Sequence, residues 1–366
     1  MNQIDDLYIS SKNLSSLLIE PSGFCNAKCP HCPRYTDDGF LHDYIPETHL
    51  TIEALKNGLN PALLLNLNKV EFHGAVGDPA MNPQIEDLIN FFDFVPWVTM
   101  DTNGSLRNKN WWKNLARFSN LQVVWSIDGL EDTNHLYRIN TDFKKIMENS
   151  SAFISAGGNA IWKCIVFKHN EHQIDKITQQ AKLLGFSGVQ FVRAYDYRFQ
   201  NLNSWQVMVE GEAMHTIEPS IFSQEKISSK SRNFSKQRHI RDLNNMSSQT
   251  VCPWLKDHRA YINVLGQLMP CCMMTHETTN DYIGKTIFQN MVGGNFDNIS
   301  LYHHTMDYIF ENYFAKEFNE NLKNKDAMHP VCGKACGEII HGTATQYTGY
   351  RERTIKIKEN YASKPN

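Results

Sequence analysis

Three cysteines, Cys25, Cys29 and Cys32, lie close together near the start of the chain in the stretch CNAKCPHC. Their spacing leaves three and then two intervening residues. A tetrahedral zinc site takes four protein ligands, or three and a water, and a four-iron cluster also takes four ligands. Three thiols on one short loop therefore leave one metal position open to a substrate or cofactor, unless a zinc ion borrows a distant fourth ligand.

Six more cysteines follow, and five of them lie beyond residue 250: Cys252, Cys271, Cys272, Cys332 and Cys336. Cys164 stands alone in between. The total of nine is odd, and the first residues show no secretory signal. Because disulfides are rare in the cytosol, these observations favour metal binding or catalysis over a disulfide framework. We expect two separate sulfur sites.

The composition is that of an ordinary globular protein. The 366 residues are 41% hydrophobic and 20% charged, with a net charge of -3. No run approaches the roughly 18 apolar residues that a membrane helix needs. The weak negative charge argues against binding a polyanion through bulk electrostatics. We therefore expect a cytoplasmic protein with no membrane contact and no nucleic acid partner.

Strand-like and helix-like segments alternate up to about residue 200. Strands are predicted at 15–21, 69–74, 97–102, 121–128, 160–167 and 189–194, and helices near 51–59, 83–93, 108–117, 141–155 and 171–184. For the last helix we predict Asn170 as the N-cap and Gly185 as the C-terminal stop. Such alternation predicts a parallel sheet, either open or closed into an incomplete barrel. Chemistry in both folds collects at the carboxyl ends of the strands, where the three-cysteine loop lies.

The alternation stops after residue 204. Residues 205–250 are predicted to be a basic linker or mobile insertion, since 226–241 hold six Lys/Arg and no acid. A contact strip for an anionic substrate or a nucleic acid is the alternative. Beyond 250 we predict a β-hairpin over 260–272 that turns at Gly266, a long helix over 299–322 and a loop over 330–338.

The C-x3-C-x2-C spacing after a first strand resembles the signature of the radical S-adenosylmethionine (radical SAM) superfamily. His31 stands where that family often has an aromatic residue. The loop FHGAVGDPAMNP after the second strand resembles the family's glycine-rich loop, which binds the amino group of SAM. The resemblance assigns that role to Gly77 and Asp78, although Asp replaces the family's Glu and its reach is one methylene shorter.

Two more stretches continue the resemblance. DTNGS, over 101–105, is similar to the family's third strand end, and WSIDGLEDTNHLYRIN, over 125–140, to its fourth strand and the next helical turn. In the family pattern the Ser and the Arg contact SAM, and the Arg lies near the SAM carboxylate. The matching residues in this chain are Ser126 and Arg138. The resemblance implies an α/β fold, with a partial (β/α)6 barrel over residues 1–204.

The segment from Cys252 through Gly266 to Cys271 resembles the opening of the SPASM/twitch module found in many radical SAM enzymes. The short twitch form holds one auxiliary cluster on four thiolates, which we assign to Cys252, Cys271, Cys332 and Cys336. Cys272 is an alternative to Cys271, because neighbouring side chains on a strand point to opposite faces. A structural zinc site on the same four thiols stays open. This small α+β domain is expected over 251–366.

The resemblance implies an enzyme that cleaves SAM reductively at a [4Fe-4S] cluster to a 5′-deoxyadenosyl radical, which abstracts a substrate hydrogen. With an auxiliary [4Fe-4S] cluster, it would oxidise or cross-link a peptide or small molecule, using a reductant such as flavodoxin or ferredoxin. About fourteen residues precede the first strand, which weakens the expectation of a leader-peptide substrate.

Two other functions stay open. One is a radical SAM epimerase in which Cys164 returns a hydrogen atom to the substrate. Cys164 shares a strand face with Trp162 and Val166, and the role requires that face to line the barrel. The other is a non-catalytic, zinc-stabilised binding protein.

Overall fold

A computed structural model describes residues 9–30, 32–194, 204–220, 252–274, 282–314, 317–324, 327–329, 331–332 and 353–357. Six parallel strands form the centre of its main sheet, side by side in chain order. They are β1 (Ser16–Ile19), β2 (Lys69–Phe72), β3 (Trp97–Thr102), β4 (Leu121–Ser126), β5 (Asn159–Val166) and β6 (Gly188–Arg193). All six predicted strands are confirmed, and so is the α/β partial-barrel fold class.

Helices connect these strands and cover one face of the sheet. They are α1 (Ile52–Gly58), α2 (Ile85–Asn90), α3 (Lys109–Leu115), α4 (Asn134–Tyr137), α5 (Phe143–Ser155) and α6 (Ile174–Leu184). The buried side of α5 includes Ile146 and Phe153, which belong to the same apolar cluster as Trp125 and Trp162 from the sheet. This core fixes one face of each strand, so the alternate residues must face the interior of the partial barrel.

The start of α6 differs from the prediction. A 3-10 turn over Glu171–Gln173 precedes the helix, and Asn170 makes no side-chain capping bond. Its side chain accepts from the amide of Phe167 and donates to the carbonyls of Asp128 and Ile165. Asn170 therefore occupies the predicted N-cap position of the turn, but its side chain does not cap it, because its Oδ1 accepts from the amide of Phe167 instead. Gly185 does end α6 in the left-handed conformation, with φ at 84°.

Strands from later in the chain extend both edges of the sheet. The predicted hairpin is confirmed as β9 (Arg259–Ile262) and β10 (Leu268–Met269), with Gly266 at a φ of 72°. β9 pairs with β1 in parallel, and β11 (Arg353–Lys356) pairs with β6 in antiparallel. The region assigned to a second domain thus continues the sheet of the first, although the domain boundaries themselves stay a prediction.

The first part of the predicted linker is an ordered hairpin, which corrects the linker prediction for this part. It consists of β7 (Trp205–Val209) and β8 (Glu212–Ile217), which pair in antiparallel. Its strands carry aromatic and β-branched residues with strand propensity, and Gly211 turns the chain with φ at 86°. The basic stretch 226–241 lies outside the described residues.

The predicted single helix over 299–322 is wrong. A short helix α7 (Pro253–Lys256) precedes β9, and an unpredicted helix, α8, spans Tyr282–Met291. Then come a 3-10 turn at Phe296–Ile299, α9 (Met306–Ile309), one π-helical turn at Phe310–Phe314 and α10 (Glu317–Asn321). Thr305 starts α9 by accepting from the amide of Tyr308, because a hydroxyl at this position satisfies a helix-end donor. Helical periodicity alone did not reveal this interruption.

None of the helices in the described ranges is long and apolar enough to cross a bilayer.

Glu20 follows β1 and is 1% exposed. Burial raises the pKa of this carboxyl group to about 8, although the Tyr261 hydroxyl and the Val76 backbone favour its charged form. The Oε2 atom has no hydrogen-bond partner among the described residues. Glu20 is therefore expected to be protonated in the folded protein at neutral pH.

We predict that Glu20→Gln flattens the pH dependence of stability. Between an ordinary carboxyl pKa of 4.5 and about 8, the folded chain holds a proton that the unfolded chain has released. The unfolding free energy of the wild type should therefore fall as pH rises in this window, by at most about 1.4 kcal/mol per unit from this group. Urea unfolding of both proteins at several pH values measures the slopes. Equal slopes would contradict the prediction.

Candidate active site

The three-cysteine loop leaves β1 and runs along the carboxyl edge of the sheet. Cys29 is buried, while Cys25 and Cys32 are partly buried. The amide of Cys32 donates to the carbonyl of Cys29, and that of Ala27 lies 3.4 Å from Cys25 Sγ. These contacts curl the loop tightly, so that the three thiols share one small region of the edge.

Gly77 allows the loop after β2 to lie directly against the cysteine loop. A Cβ at this position would lie 2.0 Å from the carbonyl oxygen of Ser22. The next residue, Asp78, donates its amide to the carbonyl of Phe24. Arg34 joins the same loops, since its Nη1 donates to the carbonyls of Gly23 and Val76. Gly77 is therefore required by the close approach of two backbones at the predicted site.

Burial dominates the chemistry of the three thiols. It raises the pKa of Cys25 and the pKa of Cys29. It also raises the pKa of Cys32, to about 12. Asp78 and the other two cysteines raise the pKa of Cys25 further. Since the thiolate is the form that binds metals, these groups are protonated until a metal displaces the proton.

The three thiols lie near one another without converging on one point. In the part of the chain that the structure describes, no three His, Cys, Asp or Glu side chains converge on a point where they would hold one ion. The thiolates of a four-iron cluster each bind a different iron and need not converge. Cys25, Cys29 and Cys32 are nevertheless close enough to influence one another electrostatically.

Asp78 links the loop after β2 to the end of β3. Its carboxylate accepts from the amides of Ala80 and Asn103, the hydroxyl of Thr102 and the Asn103 side chain, at 2.7–3.1 Å. The same Asn103 Nδ2 lies 2.8 Å from Asn26 Oδ1 and 3.9 Å from Cys25 Sγ. Asp78 therefore orients a neighbour of the cysteine loop. Its predicted contact with the amino group of SAM stays a prediction.

Arg138 lies beside Cys29, at the end of α4. Its Nε donates to Asp128 Oδ2 at 2.5 Å, and its Nη1 lies 3.6 Å from Cys29 Sγ. Burial disfavours the charge on Arg138, but Asp128 and Cys29 raise its pKa overall. Sequence reasoning missed Asp128, although it is the acid of the Ser-x-Asp-Gly pattern. The predicted residue Ser126 ends β4 and pairs in register with Lys163.

The structure does not support Cys164 as a hydrogen donor. Cys164 is 1% exposed and belongs to the apolar core with Trp162 and Val166, on the face of β5 that the helices cover. Its neighbours Lys163 and Ile165 occupy the alternate face. The condition that its face lines the barrel is therefore not met. His31 lies outside the described residues.

The second cysteine group brings Cys252, Cys271 and Cys332 into the main core, each less than one-tenth exposed. Burial and then Cys271 raise the pKa of Cys252 to about 12. The pKa of Cys272 is also raised to about 12, by burial and then by Glu20. Cys271, rather than Cys272, is thus the electrostatic neighbour of Cys252. Cys336 lies outside the described residues.

The β7–β8 hairpin covers the cysteine loop. Val207 and Ile217 join Cys29, Ala27, Tyr137 and Phe167 in a small apolar cluster. The hairpin turn is held by a 2.5 Å ion pair between Glu210 and Lys28, and its backbone bonds to Asp38 and Gly39. The hairpin therefore buries one side of the loop.

Charged side chains lie on the interior face of the partial barrel, on or just after β2, β3 and β5. Asp101 Oδ2 lies 3.3 Å from Lys163 Nζ and 3.8 Å from His73 Nε2. Lys69 and Glu71 form a second pair at 3.0 Å. All five side chains are partly exposed, so this wall offers hydrogen bonds and paired charges to a ligand in the barrel.

Residues 19–181 match the model of the Radical SAM superfamily. This range begins at the last residue of β1 and contains the three-cysteine loop and β2 to β5. The chain carries a radical SAM domain. This match disfavours the alternative of a non-catalytic, zinc-stabilised binding protein, and it implies SAM and a [4Fe-4S] cluster as cofactors. No curated protein matches this sequence.

Solved radical SAM structures resemble the chain only distantly. SuiB of Streptococcus suis bound to precursor peptide SuiA is 13% identical over 74% of this chain and 61% of its own, with a TM-score of 0.46. The chain thus spans about three fifths of that SuiB structure. The structure of anSMEcpe with bound AdoMet is 16% identical over 85% of this chain and 81% of its own, with a TM-score of 0.48. BtrN in complex with AdoMet and 2-DOIA is 13% identical over 89% of this chain and 93% of its own, with a TM-score of 0.40.

We predict that Val207→Asp detaches the hairpin and exposes Cys29. Val207 is fully buried, and an unpaired carboxylate there would cost several kcal/mol by order of magnitude. Alkylation of Cys29 in the metal-free chain, followed by mass spectrometry, should become faster by at least about tenfold, which corresponds to about 1.4 kcal/mol. Gln206→Asp, on the exposed face of the same strand, is the control and should leave the rate unchanged. Equal rates for all three proteins would contradict the covering role.

Proposed function

We propose that this chain is a radical SAM enzyme that oxidises or cross-links a polar substrate, a peptide or a small molecule, after abstracting a hydrogen atom. The observation that carries the proposal is the loop of three neighbouring thiols at the carboxyl edge of a parallel sheet, flanked by Asn103 and Arg138. Radical SAM enzymes place their cluster on such a loop, and the sequence of residues 19–181 matches their family.

In this proposal Cys25, Cys29 and Cys32 hold the cluster. The cluster and SAM, when bound, supply the electron and the 5′-deoxyadenosyl radical that removes a hydrogen atom from an unactivated carbon. Gly77 keeps the second loop against the first, and Ser126 faces the same edge from β4. The hairpin supports the chemistry by excluding water from the Cys29 side.

We also propose an auxiliary [4Fe-4S] cluster on Cys252, Cys271, Cys332 and Cys336. Three of these cysteines lie in the main core, on segments that flank β9 and β10 or pack beside them. β9 hydrogen-bonds to β1, so the two cysteine groups are attached to neighbouring strands. A fully ligated cluster suits electron transfer, which a net oxidation of the substrate requires.

The charged wall inside the barrel supports a polar substrate. Asp101 and Lys163 carry opposite charges, as do Lys69 and Glu71, so the described wall is close to balanced. Balanced charges favour a ligand with hydroxyl or amide groups over a strongly anionic one. A one-electron reductant such as flavodoxin or ferredoxin, and a cytoplasmic location, belong to the same proposal.

The test is production of 5′-deoxyadenosine by anaerobically reconstituted protein with SAM and dithionite. Wild type should form it, and the triple variant Cys25→Ala/Cys29→Ala/Cys32→Ala should form none, because no thiolate remains to hold the cluster. Cys164→Ala is the matched control and should retain the activity, since Cys164 lies in the core. Absence of 5′-deoxyadenosine from the wild type would overturn the proposal.

A variant of the second group separates the two clusters. Cys252→Ala/Cys271→Ala should lose about half of the iron and still cleave SAM, because the first loop is untouched. Iron and sulfide analysis beside the cleavage assay measures this outcome. Unchanged iron content in that variant would remove the auxiliary cluster from the proposal.

A further inference from the structure

Arg138 is held beside a cysteine sulfur. The Arg138 side chain is 15% exposed, and its guanidinium Nη1 lies 3.6 Å from Cys29 Sγ. This distance is within reach of an N–H···S hydrogen bond. The guanidinium also lies 5.5 Å from the centre of the Tyr137 ring, which belongs to the apolar cluster under the hairpin. The contact is thus formed in a largely water-free region, where a charge acts strongly on its neighbours.

Asp128 determines where that guanidinium lies. Asp128 is 0% exposed, and its Oδ2 accepts from Arg138 Nε at 2.5 Å. Its other oxygen accepts from the backbone amide of Ile165 at 2.6 Å. Because β5 supplies that amide, the orientation of the carboxylate is fixed by the sheet rather than by solvent. Arg138 is therefore aimed at Cys29 from a rigid support.

We propose that Asp128 positions Arg138 to donate a charge-assisted hydrogen bond to the Cys29 sulfur, and that this bond raises the reduction potential of the cluster. The inference rests on the proposed function, which places a cluster on Cys25, Cys29 and Cys32. Reduction adds one electron, and so one negative charge, to the cluster. A cation and a donor at a ligand sulfur stabilise the added charge, and hydrogen bonds to sulfur are known to set such potentials.

This role differs from the one that the family resemblance gives to Arg138, which is contact with the carboxylate of SAM. An arginine that lay away from the cysteine sulfur until it met SAM would change the potential measured in the absence of SAM only slightly. A group that bonds to Cys29 would change it whether or not SAM is present. The SAM-free potential therefore distinguishes the two roles.

The experiment is a redox titration of the reconstituted full chain without SAM, followed by electron paramagnetic resonance of the reduced cluster. Arg138→Gln should shift the potential to more negative values, with the reduction equilibrium about tenfold less favourable, or about 59 mV. Asp128→Asn removes a negative charge as well as the support of Arg138, so its role is measured with the double variant: Arg138→Gln should shift the potential by less in the Asp128→Asn background than in the wild type. Arg138→Lys, which retains the charge without the planar fork, should shift it less.

Arg107→Gln is the matched control. Arg107 is also partly buried and donates to the backbone carbonyls of Ala80 and Asn82, and none of its hydrogen bonds goes to a cysteine among the described residues. The cluster of the Arg107→Gln variant should have the same reduction potential as that of the wild type. If Arg138→Gln fails to hold a cluster, Arg138→Lys still decides the matter.

Unchanged potentials in the Arg138 variants, with a cluster present, would overturn this inference and leave the proposed function intact. So would an Arg138→Gln shift that is as large in the Asp128→Asn background as in the wild type. A wild type that binds no cluster would overturn both. A shift as large in Arg107→Gln would also count against the inference, because it would show a general effect of removing a buried cation.

Discussion

Two carboxylates, Asp78 and Asp128, are buried at the carboxyl edge of the sheet, and the geometry of the site depends on how each is satisfied. Burial raises the pKa of both, and hydrogen bonds from the ends of β3 and β5 and from Arg138 offset that cost. Each carboxylate ties one loop to a different strand. Through Asn103 and Arg138 they hold the cysteine loop from two sides, so the thiols are positioned before any metal binds.

The main sheet extends beyond the strands that position the first cysteine group. β9 and β10 lengthen the edge beside β1, and β11 lengthens the edge beside β6. A region that resembles a separate module is thus built onto the same hydrogen-bonded framework. The β7–β8 hairpin adds a cover on the Cys29 side, so the site lies between a rigid sheet and a packed hairpin. Such enclosure suits reactive chemistry, which must be protected from water.

The sequence alone predicts the parallel core because its strands are short, apolar and separated by amphipathic helices. It also predicts the cysteine loop, because the three-thiol spacing is followed by three more stretches that resemble the family in the expected order. It does not predict the Asp128–Arg138–Cys29 contact, which depends on how β5 presents an amide to a distant carboxylate. It does not separate Cys271 from Cys272, because periodicity does not say which face each residue takes. It does not predict the helix breaks around Thr305 either, because periodicity does not say where a side chain caps a helix.

The central claim is that the three-cysteine loop leaves one iron open for SAM. The most direct measurement is electron–nuclear double resonance of the reduced protein with SAM labelled with ¹⁵N at its amino group. The account predicts a hyperfine coupling between the cluster and the labelled nitrogen, and its loss in a variant that lacks Cys25, Cys29 and Cys32. A reduced cluster that shows no coupling to the label would contradict the claim, because SAM would then not bind the iron.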